Sequence, residues 1–143
     1  MANHHGVFRS NRFPVRDADA FHAWAHTIPD LDVRVGSDGR VALFPSAASD
    51  GHGLPSSREV EDLDPESIDF VEELAPHVAP GAVAVVMETG SETLRTLTGL
   101  AWAIRGAERP EDAEVERIGL DDIYARAAKT WGLDEAAIDR ATD

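Results

Sequence analysis

Two histidines in the segment FHAWAH have a spacing that suits metal binding. His22 and His26 are four residues apart, which places both imidazoles on one side of a helix. A third ligand would have to come from His4, His5 or His52, and no Glu stands between the pair as it does in a metalloprotease helix. We therefore expect surface histidines with no metal or other cofactor, and we keep a small metal-dependent enzyme as an alternative.

Other catalytic arrangements have weaker support. Ser49, Asp50 and His52 are the residue types of a triad, but they share one loop, whereas triad members normally come from separate elements. The chain has no cysteine, which excludes disulfides, thiolate metal ligands and thiol nucleophiles. Carboxylates at positions 62 and 64, and at 121 and 122, are explained as helix caps. We therefore predict no catalytic residues.

The basic residues before position 58 are all arginines. A cluster of them on the first strand and hairpin could bind an anion, although such arginines more often balance nearby acids. They are Arg9, Arg12, Arg16, Arg34 and Arg40.

Carboxylates are concentrated between positions 59 and 73, where eight acids and no base occur in fifteen residues. The segment is either a solvated loop and helix face or a docking surface for a basic partner. As a docking surface, its carboxylates would mimic the phosphates of nucleic acid. The candidate partner-binding residues are Glu59, Glu61, Asp62, Asp64, Glu66, Asp69, Glu72 and Glu73.

The charge of the whole chain is strongly negative and unevenly distributed. Its 143 residues carry 27 acids and 13 bases, a net charge of −14, and residues 1–57 account for only one unit of that excess. Such acidity argues against direct binding of nucleic acid, because phosphates need cations. A structural protein adapted to a salt-rich cytoplasm is a second alternative, but an even acidic coat would not obviously produce this asymmetry.

Length and composition predict a single α+β domain over residues 1–143, with residues 1–6 frayed and 133–143 a short terminal helix or tail. No apolar run reaches the ~18–20 residues needed to cross a membrane. Residues 1–10 lack the apolar core of a signal peptide, so we expect a cytoplasmic protein with no membrane partner.

Hydrophobic periodicity places the elements that would position these residues. It predicts strands at 7–15, 31–35, 41–43, 82–87, 94–104 and 115–120, and helices at 18–27, after Asp64 and after Asp121. Residues 88–92 are the predicted hairpin connection, a helix is the rival assignment around 92–97, and Gly99 marks a bulge or close approach. We therefore predict a mostly antiparallel sheet of five to six strands with about three helices packed on it.

All three tryptophans, Trp24, Trp102 and Trp131, fall on predicted apolar faces and are expected to be largely buried. The same reasoning turns Ile123, Tyr124, Ala127 and Trp131 of the last helix toward the core.

Three stretches resemble a loose family of small uncharacterised proteins encoded on plasmids, phages and other mobile elements. They are NRFPVRD at 11–17, VMETGSETLRTLTGLAWAI at 86–104 and IGLDDIYARAA at 118–128. Family members share a strand-helix start, a METG-E-LR-L-G hairpin and a closing LDDIY helix. These motifs are structural, so the resemblance implies a setting of conflict between mobile element and host but no reaction.

The sequence as a whole favours a non-enzymatic, acidic protein-binding module. We expect its partner to be a basic host protein that handles nucleic acid. The resemblance would then make the chain an anti-defence inhibitor of the anti-CRISPR or anti-restriction type.

Overall fold

The computed structural model describes residues 4–46, 53–92 and 96–139, which form eight strands and three α-helices. The strands are β1 (His4–Ser10), β2 (Leu31–Val35), β3 (Val41–Pro45), β4 (Ser57–Arg58), β5 (Glu66–Ser67), β6 (Val83–Glu92), β7 (Thr96–Arg105) and β8 (Glu114–Gly119). The helices are α1 (Ala18–Ala25), α2 (Phe70–Leu74) and α3 (Asp122–Trp131), and 3-10 helices cover Ala75–His77, Pro110–Asp112 and Glu135–Ala137.

The main sheet has four antiparallel strands in the spatial order β1-β6-β7-β8. Two smaller antiparallel sheets pair β2 with β3 and β4 with β5. The predicted α+β class with mostly antiparallel pairing is confirmed, and the strands are divided among three sheets.

The core lies on one face of the main sheet, which we call the inner face. Phe8, Val86 and Ile104 are buried there, and Leu74 of α2 is packed in the same cluster. Directly opposed residues share a face, so the register of Val86 with Trp102 puts Trp102 on the inner side, where it is half-buried. The sequence of the central strands therefore supplies the core, and α2 covers part of it.

Helix α1 and the β2–β3 hairpin match their predictions. The carboxylate of Asp17 accepts a hydrogen bond from the backbone N–H of Ala20 at 3.2 Å, which is the expected N-cap. Phe21 and Ala25 are buried, while the helix ends two residues before the predicted limit.

The start of the second helix was predicted wrongly. It begins at Phe70 with Asp69 as N-cap, not after Asp64. Residues 66–67 instead pair with β4, and Arg58 on that strand forms an ion pair with Glu66 at 3.2 Å. Local cap chemistry at Asp64 is thus overridden by a tertiary pairing.

The central hairpin is longer than predicted, because 88–92 belongs to β6 and is not the connection. The Glu88 carboxylate accepts a hydrogen bond from the backbone N–H of Leu54 at 2.7 Å, so this polar residue is satisfied within a strand. Strand β6 ends at Glu92 and strand β7 begins at Thr96. Both residues are therefore in strands, and the alternative assignment of a helix around 92–97 is wrong at these positions. Residues 93–95, where the strand and the alternative helix were both considered, lie outside the described residues.

Gly99 is a point of close approach, as predicted. A Cβ added there would lie 2.7 Å from the side chain of Leu120, whose backbone N–H donates to the Gly99 carbonyl at 2.9 Å. This contact fixes the chain where β8 leads into α3.

The two ends of the chain differ from expectation. His4, expected to be frayed, starts β1 and pairs with Glu92, while β1 stops at Ser10, short of the predicted 15. At the other end, Asp134 is the N-cap of the 3-10 helix Glu135–Ala137, which lies within the predicted terminal segment 133–143. Residues 140–143 lie outside the described part.

The prediction for the face of helix α3 is wrong at two of its four residues. Tyr124 and Ala127 are half-buried, but the two largest aliphatic and aromatic side chains of the stripe are exposed. Ile123 is 62% exposed and Trp131 is 70% exposed. Gly132 ends the helix with φ +66°, which is a left-handed conformation that suits glycine. Asp121 occupies the N-cap position without a side-chain cap, and it is Asp122 that accepts from the backbone N–H of Gly119 at 2.6 Å.

Candidate functional site

A groove of about 520 Å³ runs along the inner side of β8, between this strand and α2. Helix α2 and the following 3-10 helix form one wall, and β8 with the preceding loop forms the other. The residues that line it are Asp69, Val71, Glu72, Ala75, Pro76, Trp102, Pro110, Glu111, Ala113, Val115 and Arg117. We call this the acidic groove.

The floor of the acidic groove is apolar. Val71 and Ala75, one helical turn apart, project from the α2 wall, and Trp102 reaches it from β7. Val115 is 45% exposed although it lies on the inner face opposite Ile104. The floor therefore leaves hydrophobic area open to solvent.

The rim of the acidic groove is charged. Asp69 and Glu72 stand on the first turn of α2, Glu111 comes from the 110–112 turn, and Arg117 lies on β8 two residues from Val115. All four side chains are exposed. Three carboxylates against one guanidinium leave the rim with a formal charge of −2, which favours a cationic group above the apolar floor.

The eight acids of the 59–73 segment lie in different surroundings. Only two of them line the acidic groove. Five are exposed outside it, namely Glu59, Glu61, Asp62, Asp64 and Glu66. Of these five, Glu66 is paired with Arg58, so the segment combines groove residues, a paired residue and four exposed acids.

Glu73, the eighth acid, faces inward and is three-quarters buried. Its carboxylate accepts a hydrogen bond from the Trp24 indole N–H at 3.0 Å and forms a close ion pair with the guanidinium of Arg58. The sequence had suggested a segment without local counter-charge, but Arg58 neutralises part of it. Glu73 is thus a structural residue that holds α2 against α1.

Asp69 has both a structural role and a place on the rim. Its carboxylate accepts from the backbone N–H of Glu72 at 3.1 Å and caps α2. The side chains of the other two groove acids, Glu72 and Glu111, do not cap α2.

Comparison with protein-family models, curated proteins and solved structures finds no match to this chain.

Within the described residues no helix is long and apolar enough to cross a membrane. The described side chains also include no group of three or more His, Cys, Asp or Glu arranged to hold a metal ion. His22 and His26 line a surface depression of about 370 Å³ together with Asp32. The absence of a metal at this pair stays a prediction, since His4, His5 and His52 lie outside the described side chains.

Four of the five arginines before position 58 have partners in the fold. Arg34 and Arg40 pair with Asp32 and Asp38, and the hydrogen bond from the Arg40 side chain lowers the pKa of the Asp38 carboxyl. Arg16 donates to the backbone carbonyls of Pro76, Ala107 and Glu108. Arg9 and Arg34 both lie over the ring of Phe44. The triad types Ser49, Asp50 and His52 lie outside the described residues.

His77 is the described histidine with the most perturbed environment. Its ring stacks on Trp24 at 5.0 Å between centroids and meets Phe21 edge-on at 5.9 Å. Burial lowers the pKa of His77, and the carboxylates of Asp17 and Glu73 oppose that shift only in part. The imidazole therefore packs as a neutral aromatic ring.

A second surface was missed by the sequence prediction. Of the twelve large hydrophobic residues exposed in the described part, nine lie on the outer face of the main sheet or in the segment 120–133. They are Val7, Val83, Met87, Leu97 and Ile118 on the sheet, and Leu120, Ile123, Trp131 and Leu133 in the segment. We call this the outer apolar surface.

The signal for the outer apolar surface is present in β6. Its run VAVVM is apolar at every position, whereas a strand with one wet face alternates. A continuous apolar run indicates a strand covered on both faces, and here only the inner face is covered.

Proposed function

We propose that this chain is a non-enzymatic protein-binding module in which the acidic groove takes a basic, partly apolar segment of a partner protein. The observation that carries the proposal is the arrangement of Asp69, Glu72 and Glu111 around the apolar floor of that groove. A charged rim around an exposed hydrophobic floor is the usual anatomy of a protein interface.

The chemistry of the groove determines the kind of segment that fits. An aliphatic side chain can cover Val71 and Val115, while a Lys or Arg beside it lies close to the Glu72 and Glu111 carboxylates. Arg117 on the opposite wall disfavours a second cation at that end. The size of the groove is within the range of sites that enclose small ligands or a few side chains.

Four exposed acids outside the groove, Glu59, Glu61, Asp62 and Asp64, would act at longer range. Charges of this kind are screened over about 8 Å at physiological ionic strength, so they attract a basic partner without touching it. Their effect is expected mainly on the association rate, whereas groove residues affect dissociation.

The class of partner follows from the charge and from the resemblance to mobile-element proteins. Proteins that handle nucleic acid expose basic segments toward phosphates, and an acidic module can occupy the same segments. We propose such a basic host protein, including components of restriction or CRISPR systems, as the target.

The first prediction tests the groove with a defined probe. A fluorescein-labelled peptide that alternates arginine and leucine is titrated against the chain, and fluorescence anisotropy gives the Kd. The double variant Glu72→Gln/Glu111→Gln should bind about tenfold more weakly, because two exposed charge pairs contribute roughly 1.4 kcal/mol together.

The matched control removes the same charge outside the groove. Glu61→Gln/Asp62→Asn should keep the dissociation rate and change mainly the association rate and its salt dependence. An equal loss of peptide affinity in both variants would show that binding depends on the overall charge of the chain and not on the groove. An unchanged Kd for Glu72→Gln/Glu111→Gln would overturn the proposal.

A further inference from the structure

The outer face of the main sheet presents a hydrophobic depression at its centre. Ala101 and Ala103 on β7 form its bottom, and Val85 and Ile118 on the flanking strands form its sides. Glu116, Arg117 and Asp122 also line it. Its volume is about 560 Å³. Small side chains between larger ones leave room for side chains from an element packed on top.

Helix α3 carries a hydrophobic stripe whose two large side chains, Ile123 and Trp131, are exposed. Ile123, Ala127 and Trp131 are spaced by four residues and so lie on one face of the helix. The principal contacts of α3 are with β8 and with the 3-10 helix that follows, and Ala128 is its only buried residue. The stripe is about 12 Å long, with an alanine at its centre that permits close approach.

The stripe and the depression are complementary, but they do not meet within one chain. Only two residues separate β8 from α3, and both ends of this link are held. Leu120 packs on Gly99, and the Asp122 carboxylate binds the Gly119 N–H. The helix therefore leaves the sheet in a fixed direction, with Ile123 and Trp131 still exposed.

The charges of this region also suit self-association. The whole chain has a net charge of −14, so two copies repel each other unless they meet through a neutral surface. The outer apolar surface is such a region, because its sheet face and helix expose four bases and four acids. They are Arg9, Arg105, Arg126, Lys129, Glu114, Glu116, Asp121 and Asp122.

We infer that the outer apolar surface is a homodimer interface in which α3 of each copy packs on the outer sheet face of the other. A twofold axis makes the arrangement reciprocal, so each copy gives one helix and receives one. Trp131 is the anchor that enters the partner's alanine-lined depression, in keeping with the prominence of Trp at interface centres. The acidic groove lies on the inner side of the sheet and stays free in such a dimer.

The second prediction is tested by sedimentation equilibrium on the intact chain. The wild-type chain should have twice the mass of one copy at micromolar concentration. Met87→Glu on the sheet and Ile123→Glu on the helix should each weaken association about 100-fold or more, because one substitution acts twice in a symmetric dimer. Leu63→Glu, at a residue 72% exposed in the acidic segment, is the matched control and should leave the dimer intact.

Mixing the two disruptive variants separates helix-on-sheet packing from other dimers. A mixture of Met87→Glu and Ile123→Glu chains has one intact helix-sheet contact, since the normal helix of the first meets the normal sheet of the second. Partial recovery of the dimer mass in the mixture supports the inference. A monomeric wild-type chain, a dimer insensitive to Ile123→Glu, or no recovery on mixing overturns it.

Circular dichroism melting checks that each variant is folded, since both substituted side chains point to solvent in a single copy. The groove variant Glu72→Gln/Glu111→Gln should dimerise normally. The homodimer inference and the proposed binding function of the acidic groove are therefore tested by separate measurements, and either can be wrong while the other holds.

Discussion

Glu73 illustrates how the function of a residue depends on its neighbours. In the sequence it is one of eight acids, but in the fold it receives the Trp24 indole N–H and the Arg58 guanidinium. A buried carboxylate with two donors is held in place, and removal of a donor leaves it unsatisfied. Glu73 therefore belongs to the scaffold of the acidic groove, and Glu72 beside it belongs to the rim.

The third prediction concerns His77. Because burial lowers its pKa in the folded chain below the ordinary value of 6.5, the unfolded chain binds more protons at mildly acidic pH. The stabilising contribution of the neutral ring is complete above about pH 6.5 and decreases as the pH falls through the folded pKa. Urea denaturation between pH 5 and 8 should show a smaller loss of stability on acidification for His77→Gln than for the wild-type chain.

The exposed His26 provides the control, since His26→Gln removes an imidazole outside the Trp24 stack. Urea denaturation of this variant over the same pH range gives the slope with which that of His77→Gln is compared. An identical slope in His77→Gln and the wild-type chain would contradict the assignment.

At the scale of elements, the position of α2 determines where the acidic groove forms. The pairing of β4 with β5 keeps residues 66–67 extended, which delays the helix until Phe70. This delay places Asp69 and Glu72 opposite Glu111, with Val71 between them and the core.

The fourth prediction compares the two possible caps. Asp69→Ala should lower the free energy of unfolding by about 1 kcal/mol, because it removes the acceptor for the Glu72 N–H. Asp64→Ala is the matched control at the position that the sequence favoured, and it should change stability by less than about 0.5 kcal/mol. A larger loss in Asp64→Ala than in Asp69→Ala, measured by urea denaturation, would place the helix start at the earlier residue.

On the scale of the whole molecule, two surfaces with different chemistry lie on opposite faces of the main sheet. The inner side carries the acidic groove, and the outer side carries a neutral hydrophobic surface. A homodimer through the outer side would present two acidic grooves, and a partner with two basic segments could then bind with avidity.

The fifth prediction follows from the net charge of −14. Self-repulsion among the acids opposes the compact state, and salt screens it, so the Tm should rise by a few degrees between low and physiological sodium chloride. The exposed residues Glu59, Glu61 and Asp62 are suited to a control. With Gln or Asn in their place, the Tm should depend less on salt. A Tm that falls with added salt would show that favourable ion pairs outweigh the repulsion.

Much of the architecture was predictable, because it depends on local patterns. Alternating Leu31, Val33 and Val35 define a strand, Asp17 caps a helix, and Gly132 ends one. Such signals involve residues close in sequence, so periodicity and cap chemistry are enough to find them. The α+β class and the acidity are likewise properties of the sequence alone.

What the sequence left open was settled by contacts between distant residues. Pairing of residues 57–58 with 66–67 moved the start of α2, and the Leu54 N–H satisfied Glu88 inside a strand. Periodicity also shows that α3 has an apolar stripe without showing what the stripe meets. Only the tertiary structure decides which face of a sheet or helix is covered, because burial depends on the direction in which the chain leaves β8 and on the packing of all other elements.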